Sequence, residues 1–164
     1  MTGLFKAIAT AALISFATSG LSDDVVLTVT GDTAPSEQGD VWTFNLNALQ
    51  MLPETTFETT TIWTDGVQAF EGISLADLMS HVGARQGEIL AVALNDYAVK
   101  IPTSDAVKGG AIIAYRRGGA EMSIRDRGPL WVVYPFDGNE KYKSEEYYSR
   151  SIWQLDRIEF IAQN

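Results

Sequence analysis

The chain contains no cysteine and a single histidine, His81, among 164 residues. Without thiols it can form no disulfide, no lipidated N-terminal cysteine, no thiolate nucleophile and no iron-sulfur site. One histidine cannot build a histidine-based metal cluster within one chain, and carboxylate-only sites favour hard cations. The HExxH, GxSxG and glycine-rich phosphate-loop patterns are missing as well. Basic residues are scarce, with 12 Lys and Arg against 21 Asp and Glu and a formal net charge of -9. Such an acidic chain is repelled by phosphate backbones and anionic lipid, so neither nucleic acid nor a membrane surface is an expected partner.

Long apolar runs are also lacking. The apolar run Ala7 to Ala17 is well short of the roughly 20 residues that span a bilayer, and Ser22, Asp23 and Asp24 follow it closely. With Lys6 before it and small residues after it, the segment 1–20 reads as a secretory signal peptide. Cleavage after Ala17, Ser19 or Gly20 fits the pattern, and loss of Lys6 with no acid moves the net charge from -9 to -10. The expected mature protein is a single domain over residues 21–164, exported to the periplasm and without stable membrane insertion once the leader is gone. Absence of disulfides does not oppose export, since a sufficient core can replace them.

Short β-branched runs dominate what remains. Strands are expected over Asp24 to Thr30, Val41 to Leu46, Thr55 to Trp63 and Val67 to Phe70, with a turn at Asp65-Gly66. Asn47 to Leu52 reads as a short helical turn stopped by Pro53. The clearest helix begins at Ser74. Ser74 and Asp77 have capping-box spacing, Leu75, Leu78, Met79 and Val82 line one face, and Gly83 supplies the stop. Ile89 to Leu94 and Tyr97 to Ile101 form a hairpin through Asn95-Asp96, and Thr103 to Val107 one helical turn. Ala111 to Tyr115, Leu130 to Tyr134 and Ser151 to Ile161 complete the strands. The expected class is α+β, a mixed curved β-sheet with few short helices.

Candidate chemistry resides in arginines and aromatics. Arg116, Arg117, Arg125 and Arg127 cluster in sequence, and Arg150 follows. Guanidinium forks bind carboxylate, sulfate or phosphate bidentately, so any that share a pocket make a small-anion site. Arg116 and Arg117, beside the Gly118-Gly119 turn, are read as surface residues paired with acids. Arg125 and Arg150 stand beside aromatic segments and remain open as anion-binding or surface residues. Trp131 and Trp153 are expected in the core, whereas Tyr97, Tyr134 and Tyr148 at strand ends are expected at a pocket rim. His81 is read as a surface or helix-end residue. The candidate ligand-binding set is Trp63, Tyr97, Arg125, Tyr134, Tyr148 and Arg150.

The order TTTIWTDGVQAFEGISLADLM, Asn95-Asp96-Tyr97, Ile113-Ala114-Tyr115, Gly128-Pro129-Leu130-Trp131 and SRSIWQLDRIEF resembles the molybdopterin-binding domain of the sulfite oxidase family, from about Val41 to Phe160. The resemblance implies that family's fold. It places the metal-binding cysteine within Thr60 to Trp63, where this chain has no thiol, and a phosphate-facing arginine where this chain has Trp131. The chain is therefore similar to small, exported, single-domain members lacking the metal ligand.

The implied function is a cofactor-free binding or partner-docking module, taking a small anionic or aromatic ligand or an envelope protein partner. The alternative is a molybdopterin-binding oxidoreductase or subunit without thiolate ligation, its metal held by the dithiolene and an oxygen ligand such as Thr60, Thr61 or Asp65. A third reading is an assembly protein with an aromatic interface.

Overall fold

The computed structural model describes residues 24–163, so the leader expected over residues 1–20 lies outside the described residues. In chain order the strands are β1 (Val25–Gly31), β2 (Trp42–Asn45), β3 (Glu54–Thr60), β4 (Val67–Ser74), β5 (Gly87–Ala93), β6 (Ala98–Pro102), β7 (Ile112–Arg117), β8 (Ala120–Glu121), β9 (Trp131–Val133) and β10 (Leu155–Ala162). The helices are α1 (Leu46–Gln50), α2 (Leu75–His81) and α3 (Glu145–Arg150), with short 3-10 turns at Thr103–Asp105, Ile124–Asp126 and Glu140–Tyr142. The α+β class is borne out, with the strands distributed over two sheets.

One sheet has the order β2-β1-β10-β5-β6, and its central β1–β10 pair is parallel while its other pairs are antiparallel. The other has the order β3-β4-β7-β8, with β9 also pairing β7. Alternation explains which faces turn inward. Leu27 and Val29 of β1 and Ile89, Ala91 and Ala93 of β5 are buried, with intermediate residues between them. In β10 the buried residues are Leu155, Ile158 and Phe160, and an irregularity between Leu155 and Arg157 accounts for the three-residue first step. Ile112, Ile113, Ala114 and Tyr115 of β7 are all buried, which places that strand between covered faces. Both sheets contribute to one hydrophobic cluster.

Helix α2 follows its sequence signals. The Ser74 side chain accepts from Asp77 N at 2.9 Å, Leu75, Leu78 and Met79 are buried, and Gly83 after the helix has φ 63°. The hairpin at Asn95-Asp96 also forms, with Asp96 at φ 64°.

Two expectations need correction. The strand expected from Ser151 begins only at Leu155, because Gln154 adopts φ 53° and donates from its backbone N to Arg127 O at 2.9 Å. The strand expected through Trp63 ends at Thr60, and Thr61 to Trp63 belong to a turn. These two departures from regular strand lie beside each other and shape the site.

Candidate functional site

Three chain segments meet around Trp63: its own turn after β3, the Asn95-Asp96 hairpin, and the stretch from α3 to Trp153. They enclose a cleft of about 380 Å³ lined by Trp63, Tyr97, Tyr148 and Trp153, with Asn95, Ser149 and Ser151 among the polar groups. Trp63 is half-buried and makes edge contacts with Trp131, Tyr148 and Trp153 at centroid distances of 5.8, 5.8 and 5.7 Å. Its turn is fixed from below. Trp63 N donates to Thr61 Oγ1 at 3.1 Å, and the hydroxyls of Thr61 and Thr64 are 2.8 Å apart.

The cleft offers hydrogen-bond donors and no charged wall. The indole N–H of Trp63 and of Trp153 and the phenols of Tyr97 and Tyr148 engage no partner among the described residues. Asn95 Oδ1 accepts from Tyr97 N at 3.2 Å, which leaves its amide nitrogen as a further donor. Ser149 and Ser151 donate to the carbonyls of Glu146 and Tyr147, leaving their oxygens as acceptors.

Trp63, Tyr97 and Tyr148 are thus brought together as the sequence suggested, whereas the other three candidates stand elsewhere. Tyr134 is fully buried instead of at a rim, and its hydroxyl donates to Asp105 Oδ2 at 2.8 Å. Burial first and the Asp105 carboxylate second push its ionisation far above the usual phenol range. Arg150 lies behind the cleft, donating to the same Asp105 oxygen at 3.0 Å and to Glu146 at 2.5 Å. Because Arg150 closes α3, this ion pair anchors the helix that carries Tyr148 and Ser149. Arg125 is exposed on the Ile124–Asp126 turn and lines no described cleft. Neither Arg125 nor Arg127 pairs with the adjacent Asp126 among the described residues, and Asp126 instead accepts from Ser123 at 2.8 Å.

Two residues of the site escaped the sequence reading. Trp153, expected in the core, is 38% exposed and forms one wall. Arg127, at φ 73°, places its guanidinium carbon 5.4 Å from the ring centroids of both Trp131 and Trp153 and donates to Trp63 O at 2.9 Å. The only sequence signal for it is position: it precedes the Gly128-Pro129 bond, which is cis, at the entry to β9. A second cavity of about 290 Å³, lined by Arg117, Arg127, Gln68, Thr64 and Asp65, opens on the other side of Trp63.

Of Thr60, Thr61 and Asp65, the oxygen ligands of the alternative reading, Thr60 is engaged by Asp137. Thr60 N and Oγ1 both donate to Asp137, at 2.5 and 2.9 Å, and Asp137 N donates to Thr59 Oγ1 at 3.0 Å. The Thr60 backbone, its hydroxyl and the nearby Lys143 hold the Asp137 carboxyl below the usual range. A hydroxyl committed to this clamp is a poor ligand for a soft metal. Among the described residues no three His, Cys, Asp or Glu side chains gather as a metal-binding group.

No protein-family model matches the chain, and no curated protein matches it. Among solved structures it is similar to the sulfane dehydrogenase SoxCD from Paracoccus pantotrophus, with a TM-score of 0.62 at 14% identity over 84% of this chain and 38% of that one. The chain therefore spans well under half the length of that enzyme, and a likeness at this identity concerns architecture alone. The protein has a mixed α+β, sulfite oxidase-like fold.

Proposed function

We propose that this protein is an exported, periplasmic binding module whose cleft takes a small planar heteroaromatic molecule without a bound metal. The observation that carries this reading is the convergence of Trp63, Tyr97, Tyr148 and Trp153 with their N–H and O–H groups unengaged. Aromatic faces bind a flat ring, and edge donors select one bearing carbonyl or ring-nitrogen acceptors. A metal-free pterin has that chemistry and is the ligand that the sulfite oxidase-like fold nominates. Molybdopterin held without a thiolate is the alternative. The clamp on Thr60 and the aromatic Trp131, in place of a phosphate-facing arginine, count against it. Any molybdenum chemistry would be supplied by that cofactor.

A second reading, docking of an envelope protein, is favoured by the apolar rim of the cleft. Leu94 is 44% exposed and Ile124 59%, and both are tied to Gln154 beside Trp153. The two readings combine if a partner senses the filled cleft.

The test is a tryptophan fluorescence titration of the purified protein with a metal-free pterin, together with molybdenum analysis of protein from a molybdenum-replete host. Saturable quenching that is lost in Trp153→Ala is expected. Stoichiometric molybdenum, or no quenching by any planar heterocycle, overturns the proposal.

A further inference from the structure

We infer that the cavity on the far side of Trp63 is an anion subsite, so that the ligand is a planar ring carrying a carboxylate or another oxyanion. This inference rests on the aromatic-cleft reading for the ring and on separate observations for the anion.

Arginines in this acidic chain normally find a carboxylate. Arg85, Arg116, Arg150 and Arg157 all form ion pairs with Asp or Glu. Among the described residues Arg117, Arg125 and Arg127 do not, and two of these three line the same cavity. Arg125 is exposed to water, whereas Arg117 and Arg127 are half-buried. A half-buried guanidinium without an anion keeps N–H groups whose lost hydration is only partly replaced, which is the condition a bound oxyanion relieves.

Geometry sets the orientation of Arg127. Its Nη2 is committed to Trp63 O and its guanidinium carbon lies over the rings of Trp131 and Trp153, while its remaining N–H groups have no hydrogen-bond partner among the described residues. Arg117 enters from the end of β7, beside the Gly118-Gly119 turn. Gln68 spends its amide on the carbonyls of Asp65 and Val67, and Thr64 pairs with Thr61, so both hold the turn. Asp65 is the opposing charge. It is exposed and forms no ion pair among the described residues, so two guanidiniums and one carboxylate line this cavity. Trp63 lines both cavities, and the inferred ligand places its ring in the aromatic cleft and its anionic substituent past the edge of Trp63 beside the arginines.

The experiment compares pterin with pterin-6-carboxylate and, separately, inorganic phosphate, by calorimetry on the full chain. The carboxylate should bind about tenfold tighter than pterin, as one charge-assisted hydrogen bond requires. The gain should shrink as salt is raised. Arg117→Ala should bring the two affinities together, Asp65→Asn should widen the gap, and Arg125→Ala should leave both affinities unchanged. Widening by Asp65→Asn cannot come from misfolding. Equal affinities in the wild type, or a gap that survives Arg117→Ala in folded protein, overturn the subsite while the ring-binding reading stands. Phosphate bound through Arg117 with neither pterin bound supports the subsite and removes the ring. Binding of no probe overturns both.

Discussion

Arg127 reaches across 64 residues of sequence to hand a hydrogen bond to the carbonyl of Trp63 at 2.9 Å. The same guanidinium lies against the rings of both Trp131 and Trp153, so one side chain touches three tryptophans. Arg127→Met keeps the bulk and removes both interactions. It should cost about 2 kcal/mol in a denaturant titration and weaken ligand quenching. Arg127→Lys keeps charge without the planar fork and should restore only part of the loss. A variant as stable as the wild type would show that the indoles hold themselves.

Asp105 accepts from both Tyr134 and Arg150 while its side chain is 8% exposed. Arg150→Ala leaves that carboxylate buried with one neutral donor and should destabilise the protein by about 3 kcal/mol. Tyr134→Phe, which leaves the ion pair intact, should cost about 1 kcal/mol. Equal effects of the two substitutions would refute the ranking. Loss of Arg150 should also weaken ligand binding, since α3 carries Tyr148 to the cleft.

Asp137 carries an acid dependence. Its carboxyl is held below the ordinary value, so the folded state favours the charged form. The stabilisation is present above the unfolded carboxylate value of about 3.9 and disappears as pH falls through the lower folded value. Melting temperature should therefore fall less steeply in Asp137→Asn than in the wild type between about pH 5 and pH 2. Parallel profiles would mean that the Thr60 contacts do not discriminate between the protonation states.

Tyr115 supplies the alkaline counterpart. Burial, and then its hydrogen bond to Glu54 at 2.9 Å, push its ionisation up to about 12. With a folded value above the unfolded one near 10, its contribution is whole below about pH 10 and is lost as pH rises toward 12. Spectrophotometric titration should show a late phenolate fraction that shrinks in Tyr115→Phe. An unchanged late fraction would assign it to Tyr134 alone.

Local signals in the sequence gave α2 and the Asn95-Asp96 hairpin, because capping, period and turn chemistry each lie within a few residues. Helix α3 was not legible. None of its residues Glu145–Arg150 is fully buried, and it is held by partners distant in sequence, Asp105 for Arg150 and Tyr134 for Tyr147. Trp153 was misplaced for a related reason. Counting alternation back from Leu155 assumes regular strand, and the left-handed Gln154 breaks that count just where the indole must turn outward. Tyr134 sits at a strand end, but a carboxylate from the Thr103–Asp105 turn lets its hydroxyl be buried. Arg127 could not be found from its neighbours, since two of its three contacts, the Trp63 carbonyl and the Trp153 ring, come from distant segments. Trp63, Tyr97 and Tyr148 were legible because aromatic residues beside turns are seldom all absorbed by one core.

The parallel pairing of β1 with β10 has a consequence for biosynthesis. A chain made from its N-terminus exposes β1 early, and β1 and β5 have no common neighbour until β10 has been made. Every nascent intermediate therefore carries open strand edges, the kind of surface that chaperones shield and proteases sample. Contacts this distant in sequence also slow closure of the sheet. A truncation that removes β10 should leave no smaller native protein behind, but a chain cleared by proteolysis before any ligand could rescue it.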